Sequence, residues 1–134
     1  MATGGQEHRG TAYGLGSDPR IITQGDLEQR LAAGEGQGAL KSVVMLQCAG
    51  PWDEEGSEED FYCSRICCSV AVKNALRIKE LDPQAQVFVL YNRDIRTYGY
   101  QESLYTRARE AGVVFVRCEE GSRPEVEINP ATVQ

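Results

Sequence analysis

The sequence has few of the residues and patterns on which many catalytic and membrane proteins depend. Its only histidine, His8, lies close to the amino terminus, so histidine-based acid–base catalysis and histidine-rich metal sites are not expected. No apolar run approaches the roughly 18 residues of a membrane-spanning helix, and residues 1–10 lack the apolar centre of a signal peptide. These absences predict a soluble, cytoplasmic protein without membrane insertion.

Positive charge is also scarce. The 134 residues include 14 Lys and Arg against 20 Asp and Glu, which gives a formal net charge of −6. Proteins bind nucleic-acid backbones through basic patches, so we expect no nucleic-acid partner. The length favours one domain, and the 41% hydrophobic and 25% charged residues are ordinary for a globular protein.

Three apolar segments alternate with two helical patterns. Residues 42–47, 86–91 and 113–117 are short runs rich in β-branched residues, and the first two predict strands buried on both faces. An apolar stripe that begins at Ile66 predicts a helix over about 64–81. Strands that alternate with helices favour right-handed βαβ units. We therefore expect an α/β, Rossmann-like domain with a three- or four-stranded, mostly parallel sheet.

The rest of the chain divides by composition and local signals. Thr23 can cap a short helix with Asp26 as its third residue, a variant of the capping box, and Gly34 can end that helix. A second crossover helix is expected over 101–111. The predicted organisation is a flexible amino-terminal arm at 1–20, a short helix and Gly-rich linker at 21–40, the Rossmann-like cysteine-cluster domain at 41–128 and a tail at 129–134.

The turn after the first strand lacks a dinucleotide-binding pattern. A pyrophosphate site needs a glycine-rich turn there, because backbone N–H groups must reach the phosphates. This chain instead has Cys48 at the strand end, a stretch with six carboxylates at 53–60, and a cysteine-rich segment at the predicted helix start. We therefore expect no NAD(P) binding by this chain.

Four of the five cysteines surround this turn. Cys48, Cys63, Cys67 and Cys68 follow the spacing C-x14-C-x3-C-C, whereas Cys118 follows the third strand and is expected to be a bystander. A reducing compartment favours metal or redox chemistry over a disulfide framework, and four thiolates are the ligand set of a [4Fe–4S] cluster. The positive end of the adjoining helix would favour thiolates and an anionic cluster.

Other interpretations of these cysteines stay open. They can pack as inert residues, hold a structural zinc ion or form a redox disulfide, although zinc sites seldom use adjacent ligands. Cys63 and Cys67 are four apart and can share a helical face, whereas ligation by Cys68 as well favours some unwinding at the helix start. Trp52 and Phe61 are expected to cover the site.

Similarity to a known family extends beyond the cysteines. It is carried by the residues around Cys48, by Tyr62-Cys-Ser-Arg-Ile-Cys-Cys68, by Tyr91-Asn-Arg-Asp-Ile-Arg-Thr-Tyr-Gly99 and by residues 105–112. Over about residues 13–126 the chain resembles the iron–sulfur flavoprotein subunit, the A subunit, of the CoB–CoM heterodisulfide reductase family. That protein carries FAD and several iron–sulfur clusters. The resemblance implies that the four clustered cysteines hold a [4Fe–4S] cluster in its pyridine-nucleotide-like part.

The chain matches only one piece of such a flavoprotein. It lacks the glycine fingerprint of an FAD site and the C-x2-C-x2-C-x3-C pattern of ferredoxin clusters. The resemblance therefore implies electron transfer beside other redox subunits, with FAD only on the remainder of the complex, and no catalysis by this chain alone. A thiol-redox or zinc-binding module and a cofactor-free protein-interaction domain are the alternatives.

Overall fold

A computed structural model of the chain describes residues 7, 9–35, 38–49, 63–119 and 124–129. Its elements are, in chain order, a 3-10 helix at Ala12–Gly14, helix α1 (Gln24–Ala32), strand β1 (Ser42–Leu46), helix α2 (Cys67–Leu81), strand β2 (Gln86–Tyr91), a 3-10 helix at Gly99–Gln101, helix α3 (Glu102–Glu110) and strand β3 (Val114–Arg117). The predicted α/β class is confirmed.

The strands form one parallel sheet in the order β1-β2-β3. Val44 pairs with Phe88, and Phe88 pairs with Val114, so these three residues form one row across the sheet. Parallel neighbours need long crossover connections, which α2 and α3 provide here. The expectation of a three- or four-stranded, mostly parallel sheet is thus confirmed, with three strands that are all parallel.

The core lies between the sheet and the helices. Its most deeply buried side chains come from β1, β2, α2 and α3 and from the residue before β2, and they are Met45, Ala71, Val72, Ala75, Ile78, Ala85, Val87, Val89 and Ala108. Helices α1 and α3 both pack against α2. An ion pair of 2.6 Å between Lys73 Nζ and Glu28 Oε1 joins α2 to α1, and Ser69 Oγ donates a hydrogen bond of 2.5 Å to Gln101 Oε1 near the start of α3. The three helices therefore form one layer.

The second face of the sheet is open among the described residues. Val44 is 55% exposed, Val114 45% and Val116 41%. Because α2 and α3 connect strands that follow one another in one direction across the sheet, right-handed crossovers place both helices on the same face. The predicted burial of β1 on both faces is therefore wrong: Val44 is exposed, whereas its neighbour Met45 is 3% exposed and faces the core.

Local signals determine α1 as predicted. Thr23 Oγ1 accepts a hydrogen bond of 3.1 Å from the Asp26 N–H, and Asp26 Oδ2 accepts one of 3.3 Å from the Thr23 N–H. The helix ends before Gly34, whose φ of +87° lies in the left-handed region that glycine adopts readily. No helix in the described ranges combines the length and the apolar composition needed to span a membrane.

Candidate functional site

The carboxyl ends of the strands form the edge at which the predicted ligands meet. The Gln47 N–H donates a hydrogen bond of 2.9 Å to the Leu90 carbonyl, which continues the β1–β2 pairing to the residue before Cys48. The Cys118 N–H donates one of 2.7 Å to the Tyr91 carbonyl and so extends the β2–β3 pairing in the same way. In a βαβ unit the crossover helix starts at this edge of the sheet. The start of α2 therefore lies beside Cys48.

Helix α2 begins at Cys67, three residues later than predicted. Arg65 has φ +59°, which is incompatible with a helix continuing through it, and Ile66 is 65% exposed instead of lying on the buried stripe. Cys63 therefore lies in a non-helical segment before α2. Cys63 and Cys67 therefore do not share a helical face, because the left-handed residue between them redirects the backbone; the helix start is unwound, as expected if Cys68 is to bind as well.

Two residues at the cysteine site have left-handed backbone. Of the three non-glycine residues with positive φ in the described ranges, Cys48 has φ +60° and Arg65 φ +59°. Such conformations cost about 1–3 kcal/mol and persist only where surrounding structure enforces them. The Arg65 conformation allows its N–H to donate a hydrogen bond of 3.4 Å to Cys63 Sγ. The backbone strain is thus concentrated around the thiols.

The first turn of α2 favours a thiolate at Cys67. Cys68 is 2% exposed, and Cys67 is partly buried. The pKa of Cys67 is lowered, chiefly because the Cys68 thiol donates a hydrogen bond to its sulfur, with further donors in Ser64 and the backbone at the helix start. The same hydrogen bond, together with burial, raises the pKa of Cys68. Cys68 Sγ also lies 3.8 Å from the Asp94 carbonyl oxygen, so its proton has a second acceptor within reach.

Charged groups from the start of α2 and from the loop after β2 both act on Cys48. Burial raises the pKa of Cys48 most, and negative charge on Cys67 and Cys63 raises it further. Arg93 and Arg96, on the loop after β2, act in the opposite direction. The thiols of Cys48, Cys63 and Cys67 therefore lie close enough for their charges to interact, and two guanidinium groups partly compensate them.

Two polar atoms beside this cysteine edge are buried and have no hydrogen-bond partner among the described residues. They are Nε2 of Gln47, a residue that is 9% exposed, and Oδ1 of Asn92. Gln47 directly precedes Cys48, and Asn92 directly follows β2. An unsatisfied buried polar group costs about 1–3 kcal/mol, so such groups are uncommon. The sequence analysis did not identify Gln47 or Asn92 as site residues. The available signal for Gln47 was a polar residue at the end of the apolar run that begins at residue 42.

The chemistry of this donor set fits a four-iron cluster. Within the described ranges, no three His, Cys, Asp or Glu side chains converge closely enough to hold one metal ion. Four thiolates on a tetrahedral zinc ion stand about 3.8 Å apart, because each Zn–S bond is about 2.3 Å long. A [4Fe–4S] cluster presents one iron to each thiolate and accepts a wider arrangement of sulfur atoms. Thiols near hydrogen-bond donors and guanidinium groups also suit an anionic group.

Comparison with curated proteins links the chain to methanogen redox enzymes, although no protein-family model matches it. The A subunit of the ferredoxin/F420H2-dependent CoB–CoM heterodisulfide reductase of Methanosarcina acetivorans is 40% identical over an alignment of 116 positions that covers 78% of this chain and 14% of that protein. The iron–sulfur A subunit of the CoB–CoM heterodisulfide reductase of Methanocaldococcus jannaschii is 38% identical over an alignment of 117 positions that covers 78% of this chain and 17% of that protein. This chain is related to one region of the heterodisulfide reductase A subunit. The resemblance drawn from its motifs is thereby confirmed.

The alignments to heterodisulfide reductase A subunits cover most of this chain but only a small part of each relative. An iron–sulfur A subunit of the CoB–CoM heterodisulfide reductase of Methanopyrus kandleri is 33% identical over an alignment that covers 98% of this chain and 22% of that protein. The chain therefore spans less than a quarter of each relative reported above.

Several sequence predictions lie outside the described residues. They concern the covering role of Trp52 and Phe61 and the acidic stretch 53–60. Cys118 is partly buried, and its backbone lies at the same sheet edge as Cys48. Its role as a bystander stays a prediction.

Proposed function

We propose that Cys48, Cys63, Cys67 and Cys68 hold a [4Fe–4S] cluster, and that the chain transfers single electrons within a heterodisulfide-reductase-like complex. When bound, such a cluster supplies one-electron chemistry. The observation that carries this proposal is the placement of Cys48 at the carboxyl edge of the sheet, where α2 begins with Cys67 and Cys68 and is directly preceded by the segment that holds Cys63. The names of two relatives, which are called iron–sulfur subunits, support the class of cofactor.

The neighbouring residues prepare this edge for an anionic group. The helix start and the Ser64 side chain stabilise the Cys67 thiolate, and Arg93 and Arg96 offset negative charge near Cys48. Cys68 is almost completely buried, so its sulfur is shielded from water. The cysteines at the start of α2 and at the end of β1 adjoin the hydrophobic core, which α2 and the sheet form.

We assign the remaining redox chemistry to the remainder of the complex. The relatives named above are much longer than this chain, which lacks an FAD-type glycine fingerprint. An FAD on the remainder of the complex would exchange electrons with the four-cysteine site, and heterodisulfide reduction would take place on another subunit.

The lowered pKa of Cys67 also favours a second function, a thiol–disulfide module. Thiolates are the attacking species in thiol–disulfide exchange. In this alternative Cys67 attacks a disulfide of a partner protein, and a second cysteine of this chain displaces the partner thiol. The chain would then lose two electrons and two protons, and the partner would leave as a dithiol.

Single Cys→Ser substitutions separate the two functions. We expect anaerobic reconstitution with iron and sulfide to give a brown wild-type chain, and each of Cys48→Ser, Cys63→Ser, Cys67→Ser and Cys68→Ser to lose most of its iron and visible absorption. The matched control is Cys118→Ser, which should retain both. A wild-type chain that takes up no iron, but loses two free thiols on mild oxidation, would favour the thiol–disulfide function instead.

A further inference from the structure

The side-chain amide of Gln47 is the feature of the site that the four cysteines do not explain. The residue is 9% exposed, and its Nε2 atom has no hydrogen-bond partner in the part of the chain that the structure describes. Its backbone N–H is satisfied, because it donates to the Leu90 carbonyl at 2.9 Å. The unsatisfied group is therefore the amide end of the side chain, next in sequence to Cys48.

The position of Gln47 places it between the sheet and the helices. Side chains alternate between the two faces of a strand, so Gln47 follows Met45 onto the face that α2 covers. At this edge of the sheet α2 begins, with Cys67 and Cys68 as its first two residues. Gln47, next in sequence to Cys48, and the first turn of α2 therefore lie at the same edge of the sheet.

Among the described residues, none accepts a hydrogen bond from the Nε2 atom of Gln47. The other unsatisfied buried atom nearby is Oδ1 of Asn92, which is an acceptor and could in principle pair with Nε2 of Gln47. The two atoms are not hydrogen-bonded to each other, although their strands pair up to this point. A donor that stays unsatisfied in a well-packed corner is suited to an acceptor that arrives from outside the polypeptide.

We propose that Gln47 is a positioning residue whose side-chain amide donates a hydrogen bond to sulfur in the loaded four-cysteine site and thereby raises the reduction potential of the cluster. This inference rests on the function proposed above. Thiolate and sulfide sulfur atoms accept hydrogen bonds, and such bonds help to set the potentials of iron–sulfur clusters. Reduction adds negative charge to the cluster, so a donor stabilises the reduced form more than the oxidised one.

The test compares Gln47→Leu and Gln47→Met with the wild-type chain in two states. In the loaded state, both variants should have a lower reduction potential in a dye-mediated titration followed by electron paramagnetic resonance. We expect about a tenfold change in the one-electron equilibrium, which corresponds to about 59 mV. In the unloaded state, the same variants should unfold at the same urea concentration as the wild type or at a higher one, because each removes an unsatisfied buried amide.

The control is Gln29→Leu, which makes the same chemical change at an exposed position of α1 and should leave the potential unaltered. Loaded Gln47 variants with the wild-type potential would overturn the inference and leave the proposed function intact. Unloaded variants that unfold at lower urea would also overturn it, since they would show that the amide has a structural partner. If the wild-type chain binds no iron and sulfide, the proposed function fails and the inference fails with it.

Discussion

Asn74 and Gln47 are both side-chain amides in the protein interior, and their surroundings differ. Asn74, on α2, is 2% exposed, and its Nδ2 donates hydrogen bonds of 3.2 Å to the Gln24 carbonyl and 2.9 Å to Gln24 Oε1. Gln47 is 9% exposed, and its Nε2 has no partner among the described residues. The first amide fastens α1 to α2, whereas the second lies at the cysteine edge with its donor unused.

The polar groups around Asn74 are satisfied within the folded chain, whereas the donor of Gln47 is left available for a ligand. Around Asn74 the helices pack on a sheet whose Val87 and Val89 are almost wholly buried, and the polar groups satisfy one another. Around Gln47 the backbone is left-handed at Cys48, and burial, together with negative charge on nearby thiols, raises the pKa of Cys48. Proteins tolerate such local costs mainly at functional sites.

The largest expected effect comes from opposite faces of β1. Met45→Lys places a charge in the core without a partner and should lower the free energy of unfolding by about 3–5 kcal/mol. Val44→Lys, one residue earlier on the open face, should change it by no more than about 0.5 kcal/mol. Urea unfolding followed by circular dichroism measures both. Equal losses in the two variants would contradict the one-sided packing of the sheet.

The next effect tests the two amides directly. Asn74→Leu leaves both Gln24 acceptors without their donor and should destabilise the unloaded chain by about 1–3 kcal/mol. Gln47→Leu should cause no loss in the same measurement. If the two substitutions destabilise the unloaded chain equally, the distinction between a satisfied core and an unsatisfied site is wrong.

The smallest effect concerns acid and the cap of α1. The pKa of Asp26 is lowered from 3.8, chiefly by its hydrogen bond with Arg9 and also by Thr23. Because the folded pKa lies below the unfolded one, this contribution is present above about pH 4 and is lost as the pH falls through the folded value. Asp26→Asn should therefore lower Tm at about pH 7, and the gap from wild type should shrink towards about pH 2.

A Tm difference that stays constant from about pH 7 to about pH 2 would contradict this assignment. Iron uptake by the reconstituted chain gives a second comparison. Asp26 is part of the cap of α1, whereas none of the four clustered cysteines lies on that helix. At about pH 7, Asp26→Asn should therefore take up as much iron as the wild type.

Local rules were sufficient to predict part of the fold from the sequence. The capping box at Thr23 and Asp26 depends on residues three apart, and β2 is bounded by a turn on each side, so both were predicted correctly. The order of strands and helices also fixed the parallel sheet, because βαβ connections are strongly right-handed.

The errors arose where distant parts of the chain decide the local structure. Residue Ile66 fits a helical stripe, but the left-handed backbone at Arg65 starts α2 only at Cys67. The apolar run of β1 suggests burial on both faces, whereas the direction of the crossovers leaves Val44 exposed. Spacing identified the cysteines as candidates, but the unused donor of Gln47 depends on atoms from several elements. No pattern in the sequence contains that information.

The most direct test of the four-cysteine site is the metal content of the wild-type chain purified without oxygen. Iron, acid-labile sulfide and zinc are measured per chain, together with the visible spectrum. Our account predicts about four iron and four sulfide per chain and broad absorption near about 400 nm. About one zinc per chain without sulfide, or no iron even after anaerobic reconstitution, would contradict it.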